Sequence, residues 1–317
     1  MIMQQQLADN FHKYYGLEIT NVKVINRLMF RQSFLVDASD GNQYIVKEYA
    51  ATLSLQDLSK TWQYYLLLRN FGITVGCPLR NRFSDEFHMC INNRNYVVFE
   101  YIKGGHPDIH QSNEIANCLK KYHKAAETIQ IPGLISTEEK LRSAKNYFSY
   151  FEQGSYSIKE KILLCKPHLY RIVDEYTNCG QIIIHGDSIL ENMIKNNKEV
   201  CLIDFDSIRY GDNMEDVANT ILSIMYYGSE QYEIQPERLK QVKMFIDCYY
   251  GNEHSKDVEK KLYYYMQVHC VIELIRHAEN IRFLIRMPGM KNYLSMLIHV
   301  ICSKSLNTLN VEGELIC

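Results

Sequence analysis

Between Ile182 and Asp206 the chain places three polar side chains whose types and spacing suit phosphoryl chemistry. The apolar run Ile182-Ile183-Ile184 delivers His185-Gly186-Asp187 to a loop, Asn192 follows before Met193-Ile194, and Val200-Cys201-Leu202-Ile203 ends on Asp204-Phe205. Transfer of a phosphoryl group asks for a carboxylate near the attacking hydroxyl and hard oxygen ligands for magnesium. Asp187 is the candidate base, Asn192 a side-chain carbonyl ligand and Asp204 the carboxylate ligand. Any one of them alone reads as a turn or cap residue, because Asp and Asn favour strand ends for local reasons. Their joint spacing, with apolar strands on either side, is what points to a site.

Other segments must position these groups. Gln32–Asp37 and Gln43–Tyr49 flank Ser39-Asp40-Gly41-Asn42, a strong hairpin signal, and Lys47 stands on its second strand. A helix is expected from Leu53 to Phe71, capped by Ser54 and stopped by Gly72. Further strands are expected at 87–91 and 96–101, then Lys103-Gly104-Gly105. Helices follow at 113–127, at 137–151 behind a Ser136/Glu139 capping box, and at 158–176, where Pro167 marks a break or kink. Beyond Asp206, helices are expected at 236–250, 256–287 and 291–306.

His185-Gly186-Asp187 with Asn192, followed by Ile203-Asp204-Phe205, resembles the signatures of the aminoglycoside phosphotransferase and choline-kinase-like enzymes, small-molecule relatives of protein kinases. The resemblance implies an α+β, two-lobed protein-kinase-like fold, with a small β-rich lobe over residues 1–102 and a larger, mostly helical lobe over 103–317. It implies ATP, or GTP, with Mg2+ as cofactors. It places Lys47 on the nucleotide phosphates with the Ser33 hydroxyl or backbone facing them. The hinge spans Phe99, Glu100, Tyr101 and Ile102, adenine being held by a carbonyl of Phe99 or Glu100 and an N–H of Tyr101 or Ile102. His185 and Asp216 become structural support, Asp216 accepting hydrogen bonds from the catalytic-loop backbone. His123 resembles a family histidine but reads as a satisfied core residue. The family pattern is broken at one place. The helix after Lys47 has no glutamate to orient the lysine, so Asp57 or Gln63 must substitute, or Lys47 must be held otherwise.

Composition narrows the partners. With 35 basic and 37 acidic residues among 317 and a net charge of −2, neither nucleic acid nor an anionic membrane is indicated. The ten cysteines lack metal spacing and read as buried hydrophobes of a reducing cytosol. Met1-Ile2-Met3 runs directly into Gln4-Gln5-Gln6 and no apolar run of about 18 residues occurs, so a cytoplasmic protein without a membrane span is expected. Oligomeric state is not legible.

The expected activity is ATP- and magnesium-dependent phosphorylation of a small-molecule hydroxyl. Polycationic acceptors favour carboxylate-lined pockets, whereas the region after Asp206 mixes acids with Arg209, Arg238, Arg276, Arg282 and Arg286. An antibiotic or related natural product is favoured; an amino alcohol, sugar or vitamin alcohol is the metabolic alternative. Candidate pocket residues are Tyr226, Tyr227, Tyr264, His269, Glu273, Arg276, His277, Glu279 and Arg282. A kinase-fold binding protein without catalysis is the rival from another class, supported by the missing helix glutamate.

Overall fold

The computed structural model describes residues 2–28, 31–49, 54–84, 86–153, 155–177, 182–226, 235–251 and 255–303. By contacts the chain divides into two units, Met1–Gly105 with Cys201–Asp206, and His106–Val200 with Ser207–Cys317.

In the first unit, α1 (Ile2–Tyr15) precedes β1 (Ile19–Leu28), β2 (Arg31–Ala38) and β3 (Gln43–Tyr49), then α2 (Leu55–Asn70), β4 (His88–Ile91) and β5 (Arg94–Glu100). The strands form one antiparallel sheet in the order β1-β2-β3-β5-β4. Side chains alternate across a strand, so β3 serves two cores. Tyr44 and Val46 join Leu7 and Phe11 of α1, with Phe34, Met89 and Val98. On the other face Tyr49 meets Trp62 of α2, with ring centroids 6.3 Å apart, and Phe99 of β5 meets Tyr65 at 5.4 Å. Lys47 shares this second face. Phe205 completes it, fully buried and 4.9 Å from the Tyr65 ring.

The second unit holds α3 (Ser112–Ala126), α4 (Thr137–Glu152), α5 (Lys159–Glu175), β6 (Ile182–Ile184), β7 (Met193–Lys195), the start of β8 (Val200–Leu202), β9 (Arg209–Gly211), α6 (Asn213–Tyr226), α7 (Pro236–Tyr250), α8 (Lys256–Arg276), α9 (Ile281–Leu284) and α10 (Met290–Cys302). β6 pairs antiparallel with β9, matching Ile182 with Gly211 and Ile184 with Arg209. The α6 helix is buried almost throughout, and α8 packs against α4, α6 and α10. A small antiparallel sheet unit and a larger helical one make up the expected α+β kinase-like organisation.

Of the break or kink expected at Pro167 there is no break, since the residue lies inside α5. One expectation about helices is corrected. The segment expected as one helix over 256–287 stops at Arg276, turns through 277–280 and resumes only as the short α9; Leu306, Met29, Phe30 and Tyr227 lie outside the described residues. No described helix is long and apolar enough to cross a membrane.

Candidate active site

In the first unit the site is built on the Lys47 ammonium. It donates to Asp204 Oδ1 and to Asp206 Oδ2, both at 2.6 Å, and the Tyr49 hydroxyl donates to Asp206 Oδ1 at 2.9 Å. Burial alone would lower the lysine's proton affinity, but the two carboxylates outweigh it and hold Lys47 above its ordinary range. The helix residues expected to orient it do not. Asp57 pairs with Lys60 on the surface, and Gln63 is exposed. Where a kinase helix carries its glutamate, α2 buries Trp62, Tyr64 and Tyr65, and the Tyr65 hydroxyl accepts from the Phe205 N–H at 3.1 Å. The orienting acid therefore comes from the chain after β8. Asp204 itself sits at φ 62°, a region where non-glycine residues are uncommon and tend to mark functional positions.

The hinge leaves fewer free groups than its sequence suggested. The Tyr101 N–H donates to the Gln43 carbonyl at 3.3 Å and the Glu100 N–H to the Cys77 carbonyl at 3.0 Å. The Glu100 carboxylate pairs with Arg69 and accepts from the Cys77 N–H. Of the two N–H groups considered for adenine, Ile102's is the one not engaged this way. Gly76 passes so close that an added Cβ would lie 2.4 Å from the Glu100 carbonyl oxygen. Phe99 is buried in β5, and Ser33 lies opposite Lys47 in the β2–β3 register.

In the second unit the loop after β6 is fastened to α6. Asp216, fully buried, accepts from the His185 N–H at 2.7 Å and the Gly186 N–H at 2.8 Å. Burial would raise its carboxyl, but His123 at 3.1 Å and these amides hold it below the usual range. His123 in turn meets the Tyr249 hydroxyl at 2.6 Å. Further along, the Ser188 hydroxyl donates to the Asp216 carbonyl and the Leu190 N–H to the Ser223 hydroxyl. Asn192 donates from its side-chain nitrogen to the Asp187 carbonyl at 2.8 Å, which leaves its side-chain oxygen as an acceptor.

Arg209, which composition grouped with arginines bearing on the acceptor, is instead a buried brace. It donates to the Gly186 and Ser207 carbonyls and to Thr137, and pairs with Glu215 at 3.2 Å. Gly186 is obligatory there. It has φ +77°, and an added Cβ would stand 2.0 Å from Arg209 Nη1.

Residues 23–241 match the APH phosphotransferase enzyme family. The chain belongs to this family. Comparison with curated proteins finds no match. Among solved structures, this family member resembles amicoumacin kinase hAmiN in complex with AMP-PNP, Ca2+ and Ami, with TM-score 0.73 and 14% identity over 94% of this chain and 93% of that one. It also resembles the choline kinase LicA from Streptococcus pneumoniae, with TM-score 0.66 and 16% identity over 95% and 99% of the two chains. A microcompartment-associated aminopropanol kinase gives TM-score 0.66 and 15% identity over 95% and 94%. At these identities the likeness is one of fold.

Of the candidate pocket residues of this phosphotransferase, the structure gathers His269, Glu273, Arg276 and His277 on one face of the α8 C-terminal end, as their helical spacing allows. Arg276 reaches both Glu273 at 3.3 Å and Asp187 at 3.8 Å. Tyr264 instead donates to the Ile172 carbonyl, and Tyr226 is buried in α6. Glu279 and Arg282 are exposed. Sequence reading missed Asp206, which had a visible signal, since it repeats the acid of Asp204 two positions on.

Proposed function

We propose that this protein is an ATP- and Mg2+-dependent O-phosphotransferase acting on a hydroxyl of a small molecule. The observation that carries the reading is the Lys47 ammonium held between Asp204 and Asp206, which restores the lysine–acid pair a kinase needs by a different route. The donor set suits the cofactors. Among the described residues no cluster of three or more His, Cys, Asp or Glu could hold a metal alone, but magnesium bound with nucleotide phosphates needs only one or two protein carboxylates. Asp204 and the free oxygen of Asn192 would supply the protein's share. When bound, magnesium neutralises charge on the nucleotide phosphates.

The chain's own residues have the following parts. Lys47 contacts the phosphates, and Asp206 with Tyr49 keeps its ammonium from swinging away. Ile102 offers its N–H to adenine. Asp187, on a loop pinned by Asp216 and Arg209, steers the acceptor hydroxyl and takes its proton. The acceptor is an antibiotic or related natural product, with amino alcohols, sugars and vitamin alcohols as the metabolic alternative. The binding-protein reading drew its support from the missing helix glutamate. The carboxylate of Asp206 beside Lys47 removes that support.

Thermal unfolding of the full chain with ATP alone and with ATP plus Mg2+ tests the proposal. A ligand that binds only the folded state at a hundred times its Kd adds about 2.7 kcal/mol. Added stabilisation from Mg2+, followed by acceptor-dependent ADP release, is expected. No response to nucleotide in either condition overturns the reading.

A further inference from the structure

The bonds that fasten the loop after β6 end on its main chain. Asp216 takes the His185 and Gly186 N–H groups and Ser223 that of Leu190, while Arg209 donates to the Gly186 carbonyl and Asn192 to that of Asp187. Together they place the backbone of Asp187, but its carboxylate still turns about the side-chain torsions. Arg276 reaches the carboxylate itself. From the end of α8 its Nη1 stands 3.8 Å from Asp187 Oδ2, and the same nitrogen lies 3.3 Å from Glu273 Oε1.

Arg276 is in turn held. A half-exposed arginine has much rotamer freedom to lose, so one that is to fix another side chain needs an anchor of its own. Glu273, one helical turn earlier and almost fully buried, is that anchor. Its other oxygen accepts from the Tyr293 hydroxyl of α10 at 3.3 Å and has His277 Nε2 at 3.9 Å. Burial alone would raise the Glu273 carboxyl, but Arg276, then His269 and His277, hold it below its usual range. A carboxylate kept buried and ionised is costly unless it is paired. Here the pairing goes to the one guanidinium that also faces Asp187, so α8 and α10 are tied to the loop through a chain of charges, Glu273 to Arg276 to Asp187.

We propose that Arg276 is a positioning residue for phosphoryl transfer: from α8 it sets the direction of the Asp187 carboxylate toward the acceptor hydroxyl, and Glu273 with Tyr293 sets Arg276. The inference rests on the phosphotransferase reading above. A neighbouring guanidinium makes Asp187 a weaker base, which would harm a reaction limited by proton abstraction. Phosphoryl transfer asks little covalent chemistry of the protein and depends mainly on placement. A misplacement of about 1 Å can cost roughly a hundredfold, so orientation outweighs the lost basicity.

The test is a double-mutant cycle on the full chain, with Arg276→Met, Asp187→Asn and both together, read by ADP release from radiolabelled ATP and Mg2+ with water, glycerol and ethanolamine as acceptors. Arg276→Met should lower kcat by roughly ten- to a hundredfold with KM for ATP changed less than about twofold, and Arg276→Lys should recover part of it. In the Asp187→Asn chain the same change should cost no more than about twofold further, because the group it directs is gone. A retained nucleotide-induced thermal shift shows that each variant is folded. If Arg276→Met leaves Glu273 too poorly compensated to fold, Arg276→Met with Glu273→Gln, which removes both charges, takes its place in the cycle. The denaturant midpoints of the same chains give a second cycle that needs no acceptor, and the ion pair requires their shifts to be non-additive. Costs in kcat that multiply, an unchanged kcat in Arg276→Met, or additive midpoint shifts overturn the proposal. No stabilisation by Mg2+ and ATP in the parent defeats the phosphotransferase reading instead.

Discussion

Substituting Asp206 by Asn tests how Lys47 is held. The change removes one of two carboxylates, each 2.6 Å from the ammonium, and sets an amide in its place. The side chains of Lys47 and Asp206 are only 15% and 16% exposed, so solvent screens the pair weakly. A hydrogen bond to a charged group contributes about 1.5–3 kcal/mol. If Asp206 orients Lys47 for the phosphates, most of that energy should appear as a loss in kcat/KM for ATP of roughly ten- to a hundredfold. The Asn oxygen can still accept from the Tyr49 hydroxyl, so stability should fall less than nucleotide use does. Steady-state kinetics with varied ATP at saturating Mg2+, run beside thermal unfolding, separates the two effects, and Asp206→Glu should recover part of the activity. A variant whose kcat/KM for ATP stays within about twofold of the parent, whatever its melting temperature, would refute the assignment of the orienting acid.

Asp187→Asn should lower turnover by roughly a hundred- to ten-thousandfold while nucleotide-induced stabilisation persists; turnover near that of the parent would remove Asp187 from the chemistry. Gly186→Ala meets both a left-handed φ and the Arg209 guanidinium, so the urea midpoint should drop, the backbone share alone being about 1–2 kcal/mol, and an unchanged midpoint would contradict the packing described. His269 is buried and its imidazole is held near 4, mainly by that burial, against 6.5 as its ordinary value. The folded state therefore keeps it neutral where the unfolded chain takes up a proton. Its contribution is fully present above about pH 6.5 and is lost as pH falls toward 4, by up to roughly 3 kcal/mol. Denaturant titrations of His269→Gln should show a flatter acid limb than the parent, and identical limbs would exclude this source.

The loop after β6 and the hairpin that carries Lys47 were legible because their signals are local: apolar strands, Asp-Gly between β-rich runs, and polar residues at strand ends. The capping box at Ser136 was legible for the same reason, and both of its reciprocal bonds form. What holds the loop was partly hidden. The pairing of Arg209 with Glu215 depends on β9 lying beside β6, and composition cannot tell an arginine buried in a brace from one facing a ligand. The orienting acid was sought on α2 because a kinase helix usually carries it. Here α2 fills that space with aromatic side chains, and the acid is 159 positions away from Lys47. The end of α8 was overestimated for a different reason, since apolar periodicity continues through the 277–280 turn without a proline or glycine to announce it.

The assignment of Cys201–Asp206 to the first unit bears on how the protein is made. As the chain leaves the ribosome, residues 1–105 emerge well before the segment that completes their core. Until then the cleft beside Tyr64 and Tyr65 lacks Phe205, whose ring lies within 6.0 Å of both, and Lys47 has neither of its carboxylates. The nascent amino-terminal part therefore waits, with an apolar hollow and an uncompensated cation, for a segment separated from it by residues 106–200. Such a long-range closure slows folding and leaves a sticky intermediate exposed, so chaperone demand should peak before residue 206 has been synthesised and fall once it is free.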